Sequence, residues 1–126
     1  MHKKIVATDA APAPIGPYSQ GVIAGGLLFI SGQIAIDPAT GQFVGGDVEA
    51  QAEQVIKNLL AILREAKVGA ENVVKTTIFL MDMADFQRVN AVYERHFTKE
   101  PPARSTVQVA GLPKNARVEI ELVAAF

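Results

Sequence analysis

The 126-residue chain contains no cysteine. That single absence excludes disulfides, thiolate catalysis, zinc–thiolate sites and iron–sulfur clusters together, and it fits a reducing cytosol. An excess of either charge is also missing. Twelve Lys and Arg stand against thirteen Asp and Glu, for a net charge of −1 and a pI near 6.1. Such a balance gives no general attraction to nucleic-acid backbones or anionic membranes. The only histidines, His2 and His96, are too far apart to build a metal cluster from local spacing. The longest apolar runs fall far short of a membrane span. No apolar stretch of signal-peptide length follows the basic N-terminal residues. Phosphate-loop and dinucleotide glycine patterns are absent, and Ser19, Ser31 and Ser105 lack the flanking glycines of a nucleophile elbow. These exclusions predict one soluble, cytoplasmic domain over residues 1–126, with no metal, no nucleic-acid partner and no membrane contact.

What is present is apolar for so small a chain. Hydrophobic residues make up 49% and the mean hydropathy is +0.21. A domain of this size leaves much of its surface outside, so part of that apolar content is expected to meet another subunit.

The turn-rich segment Ala10 to Gly21 carries Pro12, Pro14, Gly16 and Pro17, and reads as an ordered loop anchored by Ile15 and Tyr18. Gly25-Gly26 marks a tight turn between a short strand at Val22-Ile23 and a strand over Leu27 to Ile36. Asp47 is a good N-cap for a helix whose stripe is Val48, Ala52, Val55, Ile56, Leu59, Leu60 and Leu63, with Gly69 as its stop. Val73 to Met81 reads as a central strand. Asp82 caps a second helix that buries Phe86, Val89, Val92, Tyr93 and Phe97, and Pro101-Pro102 ends it. Strands over Ala103 to Val109 and Ala116 to Phe126 flank a turn at Gly111 to Asn115. The order β-β-β-α-β-α-β-β predicts an α/β fold: a single mixed sheet of about six strands with two helices on one face.

Two helices cover one face of such a sheet. Alternation divides the last strand into Val118, Ile120 and Leu122 toward the helices and Arg117, Glu119, Glu121 and Val123 away from them. On the preceding strand, Ser105, Val107 and Val109 are expected to face the helices. Arg104, Thr106 and Gln108 are expected on the open face, with Arg104 and Glu119 as neighbours across adjacent strands. A strand arginine grips a planar carboxylate through two parallel charge-assisted hydrogen bonds. A nearby glutamate orients or deprotonates a water, or returns a proton. Together they form a minimal site for a small 2-oxo, 2-imino or 2-amino acid. The plainer reading is an ordinary cross-strand ion pair, and Tyr18 is equally readable as a loop anchor.

The segment Pro102-Ala103-Arg104-Ser105-Thr106-Val107, continued through Leu112-Pro113 to Val118-Glu119-Ile120, closely resembles the C-terminal signature of the RidA (YjgF) family. Matches in the same order are Ile15-Gly16-Pro17-Tyr18-Ser19-Gln20-Gly21, Ser31-Gly32-Gln33-Ile34, Pro38-Ala39-Thr40-Gly41, Val74-Lys75-Thr76-Thr77 and Val89-Asn90-Ala91-Val92-Tyr93. The resemblance covers essentially the whole chain. It implies a chorismate-mutase-like homotrimer with sites in the clefts between subunits. It also implies a 2-iminobutanoate/2-iminopropanoate deaminase, which hydrolyses 2-aminoacrylate and its imine tautomer to 2-oxo acids and ammonia. No cofactor is implied, because the imine is already electrophilic. By the same resemblance Arg104 binds the substrate carboxylate and Glu119 positions or activates water. Tyr18, Ser31, Gly32 and Asn90 line the pocket. Many family members carry cysteine two residues after the arginine. Here Thr106 stands there and is expected to line the pocket through its hydroxyl. Two alternatives are a non-catalytic, small-carboxylate-binding regulatory module and an endoribonuclease or translation inhibitor. The second draws little support from a pI of 6.1 and no basic run with interleaved aromatics.

Overall fold

The computed structural model describes residues 2–126. Its long helix starts where the sequence supplies a cap: the Asp47 carboxylate accepts a hydrogen bond from the Ala50 N–H at 2.8 Å, and α1 runs Val48–Glu65. Val48, Ala52, Val55, Ile56, Leu59, Ile62 and Leu63 form its buried side. The chain leaves α1 through Lys67, which takes the left-handed conformation (φ 64°), so the stop comes two residues before the expected Gly69.

The strands are β1 (Lys4–Val6), β2 (Gly21–Ala24), β3 (Leu27–Gln33), β4 (Val73–Leu80), β5 (Ala103–Gln108) and β6 (Val118–Ala125). The second helix, α2, spans Phe86–Tyr93. Asp82 caps not α2 itself but a single 3-10 turn, Met83–Asp85, that leads into it. Gly25 and Gly26 both have positive φ, the geometry of a two-residue hairpin turn between β2 and β3. The six strands form one mixed sheet in the order β1-β2-β3-β6-β4-β5, antiparallel except for the β4–β5 pair. That parallel pair needs a crossover, and α2 provides it. Leu28, Ile30, Ile78, Leu80, Val118, Ile120 and Leu122 meet the two helices in one core. Their alternates Phe29, Phe79, Glu119, Glu121 and Val123 face the uncovered side. The β3 ladder ends at Gln33 rather than Ile36, and Ile36 makes only an isolated bridge to Phe43.

One expected face assignment is reversed. β5 pairs with β4 in parallel, with Thr76 opposite Arg104, Ile78 opposite Thr106 and Leu80 opposite Gln108. Thr76, Ile78 and Leu80 are buried beneath the helices, so Arg104, Thr106 and Gln108 lie on the helix face. Ser105 and Val107 lie on the open one. β4 also separates β5 from β6. Arg104 and Glu119 are therefore not cross-strand neighbours, and within one chain they sit on opposite faces of the sheet. The amphipathic reading failed because β5 is an edge strand. Nothing among the described residues roofs its Val107, which is 41% exposed, whereas its helix-side row meets aromatic rings of α2 that accept a cation.

Candidate functional site

Glu119 faces a cleft of about 410 Å³ lined by Pro12, Ala13, Ile15, Tyr18, Gly32, Gln33, Ile34, Ile36, Pro113 and Lys114. An irregularity in the β3–β6 ladder shapes its floor. Ile30 pairs with Leu122 and Gln33 with Ile120, so Ser31 and Gly32 together oppose Glu121 alone. Such a bulge bends the strand and re-aims what it carries. It brings the Gly32 backbone under the Glu119 side chain. A Cβ at Gly32 would stand 2.9 Å from the Glu119 carboxyl carbon and closer still to one carboxylate oxygen. A side chain at position 32 would push the Glu119 carboxylate from its place, so glycine there serves the carboxylate's approach and not a left-handed φ.

The walls are pinned by two buried amides. Gln20, 3% exposed, accepts from the Thr8 N–H at 2.7 Å and donates to the carbonyls of Thr8, Ala11 and Pro12 at 3.0, 3.2 and 2.8 Å. These bonds hold the loop that ends in Tyr18, whose hydroxyl accepts from the Ile15 N–H at 3.2 Å. Asn58, on α1, is fully buried. It donates to the carbonyls of Ile34 and Ile36 at 3.3 and 3.0 Å, fixing the opposite wall. Burial, and secondarily the charge of Glu121, pushes the Glu119 carboxyl above its ordinary range. The cleft thus holds a half-buried carboxyl against largely apolar surface, with Tyr18 and Lys114 in its lining.

Arg104 belongs to a second hollow, on the far side of the sheet, which it lines with Asn90, Tyr93, Glu94, Phe97, Pro101 and Pro102. Its guanidinium carbon lies 5.0 Å from the Tyr93 ring centre and 5.5 Å from that of Phe86. No acidic side chain pairs with it among the described residues. Two positions along β5, the Thr106 hydroxyl is enclosed and finds no hydrogen-bond partner among those residues.

The proposed site residues therefore divide into two groups. Tyr18, Gly32 and Glu119 share one cleft. Arg104 and Asn90 share the other hollow, and Thr106 lies on Arg104's row. Ser31 lies beside Gly32, but its hydroxyl is spent on the Ser19 carbonyl at 2.5 Å, tethering β3 to the loop before β2. Sequence reasoning missed Lys114, which lines the Glu119 cleft in a left-handed turn (φ 56°). It also took Phe86 and Tyr93 for core alone. The seven-residue spacing of those two rings along α2 was visible, but their place beneath Arg104 depends on the β4–β5 register. Among the described residues, no group of three His, Asp or Glu side chains is placed to hold a metal ion.

Residues 8–126 match the family model described as Endoribonuclease L-PSP. A RutC family protein of Synechocystis is 56% identical over 126 residues, covering 98% of this chain and 97% of the relative. The chain belongs to the RidA (YjgF) family. A human RidA relative, named 2-iminobutanoate/2-iminopropanoate deaminase, is 48% identical over 122 residues, 97% of this chain and 89% of its own. The crystal structure of RidA from an Antarctic Psychrobacter superposes with a TM-score of 0.94 at 42% identity, covering 98% of this chain and 99% of that one. The single mixed six-stranded sheet with two helices is thus the RidA fold.

Proposed function

We propose that the protein hydrolyses small, reactive 2-imino acids to 2-oxo acids and ammonia, in sites shared between copies of the chain. The observation that carries the proposal is the separation of the two half-sites. An unpaired guanidinium lies on one face of the sheet and a desolvated carboxylate on the other. One chain cannot close both on one small molecule. Two copies can, if the β5 edge of one packs against the open cleft of the next. The uncovered apolar side chains Phe29 and Val107 supply a reason for the open face to associate. A homotrimer of this kind is what the family resemblance implies, and the name of the human relative supports the chemistry.

In the shared site the Arg104 fork holds the substrate carboxylate in two charge-assisted bonds. The imine carbon then faces Glu119 of the neighbouring copy. Glu119 takes a proton from a water as its oxygen bonds to the carbon of the protonated imine, C=NH2+, and the C=N electron pair moves to nitrogen to give a neutral amine. The product is a tetrahedral carbinolamine. Glu119 gives that proton to the amine and takes the hydroxyl proton as the C–N bond breaks, so ammonia leaves, the carbonyl forms, and the last proton passes from Glu119 to the departing ammonia. Water and imine are consumed, 2-oxo acid and ammonia are released, and the carboxylate is regenerated. A carboxyl pushed above its ordinary range suits both halves of that cycle.

The test is hydrolysis of 2-iminopropanoate generated in situ by a serine dehydratase, followed as the rate of pyruvate formation above the spontaneous reaction. Acceleration by the wild type is expected, with Glu119→Gln reduced by about 10²- to 10⁴-fold. Arg104→Lys should fail nearly as badly as Arg104→Ala, because an ammonium cannot reproduce the fork. Saturable binding of 2-oxo acids without acceleration would instead make the protein a carboxylate-binding regulatory module. RNA cleavage abolished by Arg104→Ala would favour the ribonuclease reading.

A further inference from the structure

Arg104 is a cation that makes no ion pair among the described residues, although Glu94 lines the same hollow. Its row on β5 would ordinarily be an expensive place for one, because it faces the helix side and is partly covered. What surrounds the guanidinium is two aromatic rings, Tyr93 at 5.0 Å and Phe86 at 5.5 Å. Tyr93 is 5% exposed. Its hydroxyl is hydrogen-bonded at 2.7 Å to Thr76, and Thr76 is the residue directly opposite Arg104 on β4. Phe97 packs against the same ring, with centres 4.5 Å apart and planes tilted by 31°. The ring cannot swing away without breaking a buried hydrogen bond and a stacked pair.

We propose that Phe86 and Tyr93 are positioning residues, whose ring faces hold the Arg104 guanidinium ready for an anionic substrate group without occupying its N–H donors. This rests on the reading of Arg104 as the carboxylate anchor. The physical point is selective. An Asp or Glu partner would also hold the arginine still, but it would consume the fork and have to be displaced by every substrate. A ring face attracts the cation through its quadrupole and accepts none of the in-plane hydrogen bonds. The platform therefore supplies order and charge compensation while all five donors stay available. Pre-ordering of this kind lowers the entropic cost of binding a small ligand, which has few other contacts with which to offset it.

The probe is pyruvate, its affinity measured by calorimetry on the full-length protein as it assembles. Phe86 is replaced by phenylalanines carrying one, two and three fluorines. The substitution weakens the ring quadrupole with little change in volume, so the series stays readable even if Phe86→Leu folds poorly. A stepwise loss of affinity with each fluorine is expected. Phe86→Leu should weaken binding by about 5- to 30-fold, with the loss in turnover falling on KM rather than kcat. Tyr93→Phe, which keeps the ring, should weaken it less. A flat fluorine series alongside a large loss in Arg104→Ala would overturn the platform and leave the anchor standing. Pyruvate affinity unchanged in Arg104→Ala would overturn the anchor itself, and the platform with it.

Discussion

Glu119 is a carboxylate whose surroundings oppose its charge. Half-burial contributes most and Glu121, two residues along the same strand face, adds to it. An unfolded glutamate titrates near about 4.3. The folded carboxyl titrates higher, so between those two values the native state binds more protons than the unfolded chain. The stability that this group contributes is therefore fully present below the ordinary glutamate range. It is lost as pH rises through the raised value. Glu121→Gln removes the second cause only. In that variant the Glu119 carboxyl, followed by carbon-13 NMR, should titrate at lower pH than in the wild type. The acid limb of the pH profile for the proposed imine hydrolysis should move down with it. The variant should melt higher than wild type at neutral pH and lose that gain in acid, where Glu119 is protonated in both. Identical titration of Glu119 in the two proteins would show that Glu121 does not act on it.

At the scale of elements, the sequence carries what is local and loses what depends on register. Asp47 followed by a stripe of apolar residues at helical spacing announces α1 almost to the residue. Gly25-Gly26 announces a hairpin, because adjacent positive φ values are easy for glycine. Alternation in β6 correctly sends Glu119 away from the core. Alternation in β5 misleads, because a strand of mixed character can be laid down either way until its partner's register is known. The bulge at Ser31-Gly32 leaves no mark in composition, yet it opens the space that Glu119 occupies. Buried amides escape notice for the same reason: Asn58 in α1 reads as an ordinary interruption of the stripe. In the fold its side chain bridges α1 to the carbonyls of Ile34 and Ile36 and accepts from Gln54 at 2.9 Å. Asn58→Ala removes the only side-chain donor described for those two carbonyls and should cost about 1–3 kcal/mol in denaturant unfolding. If wall position matters to the cleft, it should also raise the KM of the proposed imine hydrolysis. A variant as stable as wild type would show that water replaces the amide without loss.

The molecule as a whole carries two hollows on opposite faces of its sheet, one holding Glu119 and the other Arg104. The loop from Pro12 to Tyr18, the bulge on β3 and the middle of β6 build the Glu119 cleft. The start of β5 and the inner side of α2 build the Arg104 hollow. Between them lies a sheet whose uncovered face exposes Phe29 at 45% and Val107 at 41%, more apolar surface than one subunit needs to leave in water. If association joins an Arg104 hollow to a Glu119 cleft, each complete site needs one residue from each of two copies. Heterologous packing of this kind gives a ring when its rotation closes and an open filament when it does not.

The most direct test of that claim is subunit complementation. Arg104→Ala and Glu119→Gln proteins are prepared separately, each inactive toward 2-iminopropanoate, then dissociated together in equal amounts and reassembled. With random mixing, half the sites receive an intact Arg104 and half of those an intact Glu119. Roughly a quarter of wild-type activity should therefore return. Mixtures that stay as inactive as their parents would place both residues' roles within a single copy, and would contradict the shared site.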